Sequence, residues 1–117
     1  MPSPIDLSFL ERFCNGDRAR MARYIALYLS EAPALFTELE MHALSDDAEA
    51  LAATAHSIRP MAHQMGAQEL MEALTTLEER VRTEGVQACT ALIEDVLARS
   101  AEADAALQQA STGPLEH

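Results

Sequence analysis

Histidine is the residue type in this sequence best suited to carry chemistry. Of the four, His56 and His63 fall in one stretch, His42 precedes it and His117 is the last residue. Near neutral pH an exposed imidazole is in large part unprotonated and can act as a nucleophile, and it is also a common metal ligand. His56 and His63, seven residues apart, would be separated on a helix by a rise of roughly 10 Å. That is too far to share one ion, because helical ligand pairs sit four residues apart. His42 and His63 with neighbouring carboxylates leave a metal-binding alternative. There is no Gly-rich phosphate loop, no nucleophile elbow and nothing resembling an ATP-binding kinase module, so a self-contained enzyme has no support.

The stretch from about Ala48 to Met65 reads as a helix that positions these groups. At about 100° per residue, Leu51, Ile58, Ala62 and Met65 form one apolar stripe that must face a core. His56 falls about 160° from Ile58 by the same count, on a face shared with Glu49, Ala52, Arg59, Pro60 and His63. His56 is therefore expected to be exposed in mid-helix, beside a basic residue and small ones. Arg59, one turn on, could steady phosphoryl oxygens, or it could be a surface arginine paired with a glutamate.

Four further helical segments surround this one. Asp6 is a candidate cap for a short helix over roughly 7–14 that carries Phe9, Leu10 and Phe13, ended by Asn15-Gly16. Asp17 caps a second, whose three-and-four pattern runs through Met21, Ile25 and Tyr28 and resumes beyond Pro33 at Phe36 and Leu39. One long helix bent near Pro33, or two short ones in line, would account for it. Ser45-Asp46-Asp47 is a turn and cap before the third helix, and Gly66 marks a break or a tight contact after it. The fourth carries Leu70, Leu74, Leu77 and Val81 and stops at Thr83-Glu84-Gly85. The fifth spans about Val86 to Ala110, with weakly apolar last turns.

No strand is convincing, so the expected fold is all-α: an up-down-up-down four-helix bundle, with the short first helix capping one end. One domain over 1–110 and a tail over 111–117, whose Leu115-Glu116-His117 reads as the start of an expression tag, describe the chain.

Composition narrows the partners. The 117 residues carry a formal charge of −11, and all eight basic residues are arginine. An acidic surface repels phosphate backbones and anionic bilayers, which argues against nucleic-acid or membrane partners and for protein partners. The two cysteines, Cys14 and Cys89, are read as small hydrophobes in a reducing cytosol. No segment is long and apolar enough to span a bilayer, and the N-terminus lacks a signal-peptide pattern.

Residues 55–66, Ala-His-Ser-Ile-Arg-Pro-Met-Ala-His-Gln-Met-Gly, resemble the signature of the histidine-containing phosphotransfer (HPt) domain family, A-H-x-[LI]-K-G followed by five variable residues and Gly. His56 falls on the phosphorylated histidine, Ile58 on the core aliphatic, Arg59 on the lysine and Gly66 on the second glycine. Asp6-Leu7-Ser8-Phe9-Leu10, Asn15-Gly16-Asp17 and the long helix ending in Leu39 also resemble the family, so the likeness covers roughly residues 5 to 85. Pro60 replaces the first glycine. It removes the amide that would bond the His56 carbonyl, and its ring crowds that carbonyl, so a kink is expected there. His63 stands where the family keeps a small residue.

The resemblance implies a phosphorelay intermediate. His56 would accept a phosphoryl group from the aspartyl phosphate of a response-regulator receiver and pass it to another receiver, with Arg59 as electrostatic support. Ala52, Pro60, His63 and Gln64 would form the docking surface. The chain would need no cofactor, since the receiver brings Mg²⁺. A hybrid sensor histidine kinase is the further expected partner, and a monomeric, cytoplasmic protein without ATPase activity is expected. The alternative is a degenerate module of the same fold that binds a receiver or kinase without being phosphorylated.

Overall fold

The computed structural model describes residues 3–112. Five α-helices follow one another: α1 (Ser8–Phe13), α2 (Arg18–Leu44), α3 (Ala48–Gln64), α4 (Gln68–Glu84) and, after a 3-10 turn at Gln87–Cys89, α5 (Thr90–Thr112). Among the described residues there is no strand.

The caps follow the sequence. Asp17 accepts the Arg20 amide at 3.2 Å and Asp47 the Ala50 amide at 3.1 Å, each relieving an orphan donor of a first turn. Asp6 acts one step earlier than expected: its carboxylate takes the Ser8 amide and hydroxyl, while the N-cap of α1 is Leu7. Asn15 and Gly16 both adopt positive φ and turn the chain from α1 into α2.

Of the two arrangements expected around Pro33, the structure has the single helix, 27 residues long with the proline inside it. Similarly α3 continues past Pro60 to Gln64. The weakly apolar last turns of α5 are anchored, because Ala103 and Leu107 are buried. Helix also extends through Ser111 and Thr112, the first two residues of the expected tail. The tag-like Leu115-Glu116-His117 lies outside the described residues.

Each long helix packs on its sequence neighbour, and α2 closes the ring against α5. One core runs through it, including Ile25, Leu39, Leu51, Ile58, Leu70, Leu77, Val96 and Leu107. Cys14 and Cys89 are both fully buried and unpaired. Packing is tight at Gly66. Its φ is +67°, its carbonyl accepts the Asp6 amide at 2.9 Å, and a Cβ there would collide with the Asp6 backbone. This clip lays the segment before α1 across the α3–α4 turn, and α1 then reaches the end of the α3 face that carries His56.

Candidate functional site: a histidine on a carboxylate between arginines

The residues of α3 sort by which neighbour they meet. Leu51, Ile58, Ala62 and Met65 are buried, as their stripe requires. His56 stands out on the seam between α3 and α4, its side chain 66% exposed. One expectation fails: Ala52 is fully buried. Because α3 packs on both α2 and α4, its buried arc is wider than the apolar stripe alone, and Ala52 and Ala55 fall inside it. Ala52 therefore offers no surface on which a partner could dock. Pro60 and His63 are exposed, and Gln64 is half-buried at the end of the helix.

The central partner of His56 comes from α4. Glu78 is held with its side chain 12% exposed. One carboxylate oxygen, Oε2, lies 3.0 Å from His56 Nδ1, and the other, Oε1, accepts from Arg59 Nη1 at 2.8 Å. Arg82, one turn along α4, donates to Oε2 at 3.3 Å and reaches Glu49 of α3 at 3.4 Å. Burial pushes the Glu78 carboxyl up, but the Arg59 hydrogen bond and the charges of His56 and Arg59 outweigh it, so the net direction is down. Glu78 is thus ionised and can only accept. The hydrogen bond then requires the proton on His56 Nδ1, so that in the neutral ring the lone pair is on the outward Nε2.

Arg59 is paired with Glu78 in this arrangement. The sequence offered no signal for Glu78. It lies 22 residues from His56, beside an equally acidic Glu79, and only the helix pairing tells them apart.

Around the histidine the surface is shallow and mixed. A concavity is lined by His56, Arg59, Pro60, His63 and Met71. It continues toward α1, where the His63 ring lies 5.1 Å from that of Phe9; Phe9 stacks on Phe13 and Phe13 meets Tyr24 edge-on at 5.5 Å. Phe9 and Phe13 are both exposed despite their size, which marks an apolar strip running off the histidine. Helical spacing put these rings on α1 but could not say that only Leu10 of that helix would be buried.

His42 pairs with Glu38 on its own helix at 3.4 Å. Among the described residues, no group of three or more His, Cys, Asp or Glu side chains could hold a metal ion, and no helix is long and apolar enough to cross a membrane.

The sequence model of the Hpt domain matches residues 23–113. Hpt domains are phosphocarrier modules of two-component signalling, not enzymes in the usual sense, and they work with the receiver domains of response regulators. No curated protein and no solved structure gives a match to the chain. The match covers most of the sequence, from within α2 through α5, and the chain belongs to the Hpt domain family.

Proposed function

We propose that this domain is a phosphorelay intermediate with His56 as its phosphoacceptor. The observation that carries the reading is the Nδ1 hydrogen bond to Glu78 on an otherwise exposed ring. Nε2 attacks the phosphorus of a receiver's aspartyl phosphate in line, the P–O bond to the aspartate breaks, and the carboxylate leaves. Attack by the neutral ring needs no base, since Nε2 carries no proton. The ring becomes cationic as the N–P bond forms, and the Nδ1–H donated to Glu78 stabilises that charge where it develops. Return of the group to a second receiver is the same step reversed.

Arg59 keeps Glu78 ionised and Arg82 braces its Oε2, so both act on His56 through it, and Arg59, one turn along α3 from His56, turns toward phosphoryl oxygens when the group arrives. The receiver supplies Mg²⁺ with its own acidic cluster, and this chain contributes the nucleophile and the docking face. That face comprises Pro60, His63, Gln64 and the exposed rings of Phe9 and Phe13. A receiver presenting apolar residues with basic ones around them complements it. The up-down-up-down course implied by the short loops, a monomeric state, a cytoplasmic setting and a hybrid sensor kinase upstream belong to the same reading.

The alternative, a module that grips a receiver without taking phosphate, is motivated by Pro60 inside α3, where the His56 carbonyl loses its helical donor. Phosphoryl transfer from a phosphorylated receiver to the wild type and to His56→Gln separates the two. Acid-labile label on the wild type alone is expected. A folded wild type that binds receivers yet takes no label, from them or from phosphoramidate, would establish the binding module instead.

A further inference from the structure

On the opposite side of the ring of helices, at the α2–α5 seam, lies a second concavity, of about 300 Å³. Its lining is mostly apolar: Ala43 of α2, Val86 before the 3-10 turn, and Ile93 and Leu97 of α5, with Leu44 at its edge and the polar Gln87 and Thr90 beside them. Leu44 is 88% exposed, and Met41, one turn back on α2, is 62% exposed. Leu44 both lines the groove and stands in water, and an apolar groove with such a side chain at its edge marks an interaction site. The rim is acidic. Glu40 stands on the α2 side and Glu94 on the α5 side, no basic residue lines the groove, and neither glutamate is in an ion pair among the described residues.

We propose that this groove docks an amphipathic helical segment of a partner protein, with an apolar face flanked by lysine or arginine, while His56 stays open on the far seam. Charge decides the occupant. A second copy of this chain would bring its own glutamate rim and a formal charge of −11 against the same sign, which opposes self-pairing. A basic-flanked helix places apolar anchors on the floor and cations opposite Glu40 and Glu94, the helix-in-groove mode of recognition. At the lower end of volumes seen for small-molecule pockets, and open along one side, the groove suits side-chain anchors. Since α2–α5 and α3–α4 are opposite seams of the ring, the two surfaces can be occupied at once, which would hold the domain beside a partner while phosphoryl groups pass at His56.

The test uses the full chain, isotope-labelled for amide NMR, and a synthetic helical peptide with leucine on one face and lysine on its flanks. A twin peptide has glutamate for lysine. The lysine peptide is expected to shift the amides of Leu44, Val86 and Ile93 and to bind roughly tenfold tighter than its twin, a difference of about 1.4 kcal/mol. Leu44→Gln, at an exposed helical position where folding is retained, weakens it by a similar factor. Glu40→Gln with Glu94→Gln removes the preference between the peptides. Uptake of label at His56 is unchanged by saturating peptide, so a failure here and a failure of the relay reading are told apart. Absence of binding, equal binding of both peptides, or shifts centred on His56 and Phe9 would overturn the proposal. So would a dimer of the chain that Leu44→Gln dissolves, which would give the groove to a second copy.

Discussion

Glu78 serves three basic partners with two oxygens, and the division of labour is asymmetric. Oε1 belongs to Arg59, whereas Oε2 is shared by His56 and Arg82. Replacing it by Gln keeps an acceptor near Nδ1 but removes the charge that, in the proposed relay, would stabilise the cationic phosphorylated ring. Phosphoryl uptake by Glu78→Gln is expected to fall about tenfold, the usual scale for a group that orients a functional histidine, with receiver affinity unchanged; stopped-flow transfer at several receiver concentrations separates the two. The same carboxylate gives a pH signature. Its folded-state pKa lies below the ordinary glutamate value, so its contribution to stability is present above that ordinary value and is lost as pH falls through the lowered one. The melting-temperature advantage of wild type over Glu78→Gln should therefore hold at neutral pH and disappear in acid. At this scale the sequence was half legible. His56 is exposed because a helical count puts it opposite Ile58, and that count needs no tertiary information. Glu78 is selected only by which face of α4 meets α3, and the burial of Ala52 likewise depends on where α4 lies.

Helix boundaries, in contrast, are local events, and several of their signals were in the sequence, although Asp6 is not the N-cap of α1 and α5, expected from about Val86, begins at Thr90 after a 3-10 turn. Asp17 and Asp47 cap, Gly85 stops α4 with φ of +87°, and Asn15-Gly16 ends α1. Proline was the ambiguous signal. It forbids one hydrogen bond but does not by itself dictate a break, and both Pro33 and Pro60 are carried within continuous helices. Pro60→Ala restores a donor to the His56 carbonyl. It is expected to stabilise the domain by about 1–3 kcal/mol in chemical denaturation while leaving label at His56; an unchanged midpoint would mean that α3 has fully absorbed the proline. Gly66→Ala acts on a different element. The left-handed backbone and the collision with Asp6 predict a loss of about 2 kcal/mol or more. Because the clip carries α1 to the site, the Phe9 ring-current shift on His63 should vanish in the NMR spectrum of this variant even where the bundle stays folded. The sequence marked Gly66 as a break or a contact, and the partner, a backbone 60 residues earlier, could come only from the fold.

Across the whole molecule, the surface is acidic and one half-buried carboxyl runs against Glu78. Asp104 of α5 is half-buried near the buried Tyr28 of α2, and burial raises its pKa. A raised folded-state value means that its contribution is fully present at low pH and is lost as pH rises through that value. Asp104→Asn should therefore raise the melting temperature at pH 7, with the gain shrinking in acid, the reverse of the Glu78 trend. Fold class and acidic character were plain in composition and periodicity. The two opposite seams were not, since both depend on the order in which the helices close into a ring.

The two buried cysteines give the molecule a pair of internal clocks. Cys14 sits where α1, a six-residue helix, ends, and Cys89 sits in the 3-10 turn that leads into α5. Neither thiol can meet an alkylating reagent until its own neighbourhood opens. Detachment of α1 is enough to uncover the first, while the second waits on the joint between α4 and α5. Their labelling rates therefore time two separate openings of one native protein, and a bound receiver that covers Phe9 and Phe13 would slow the first clock and leave the second running.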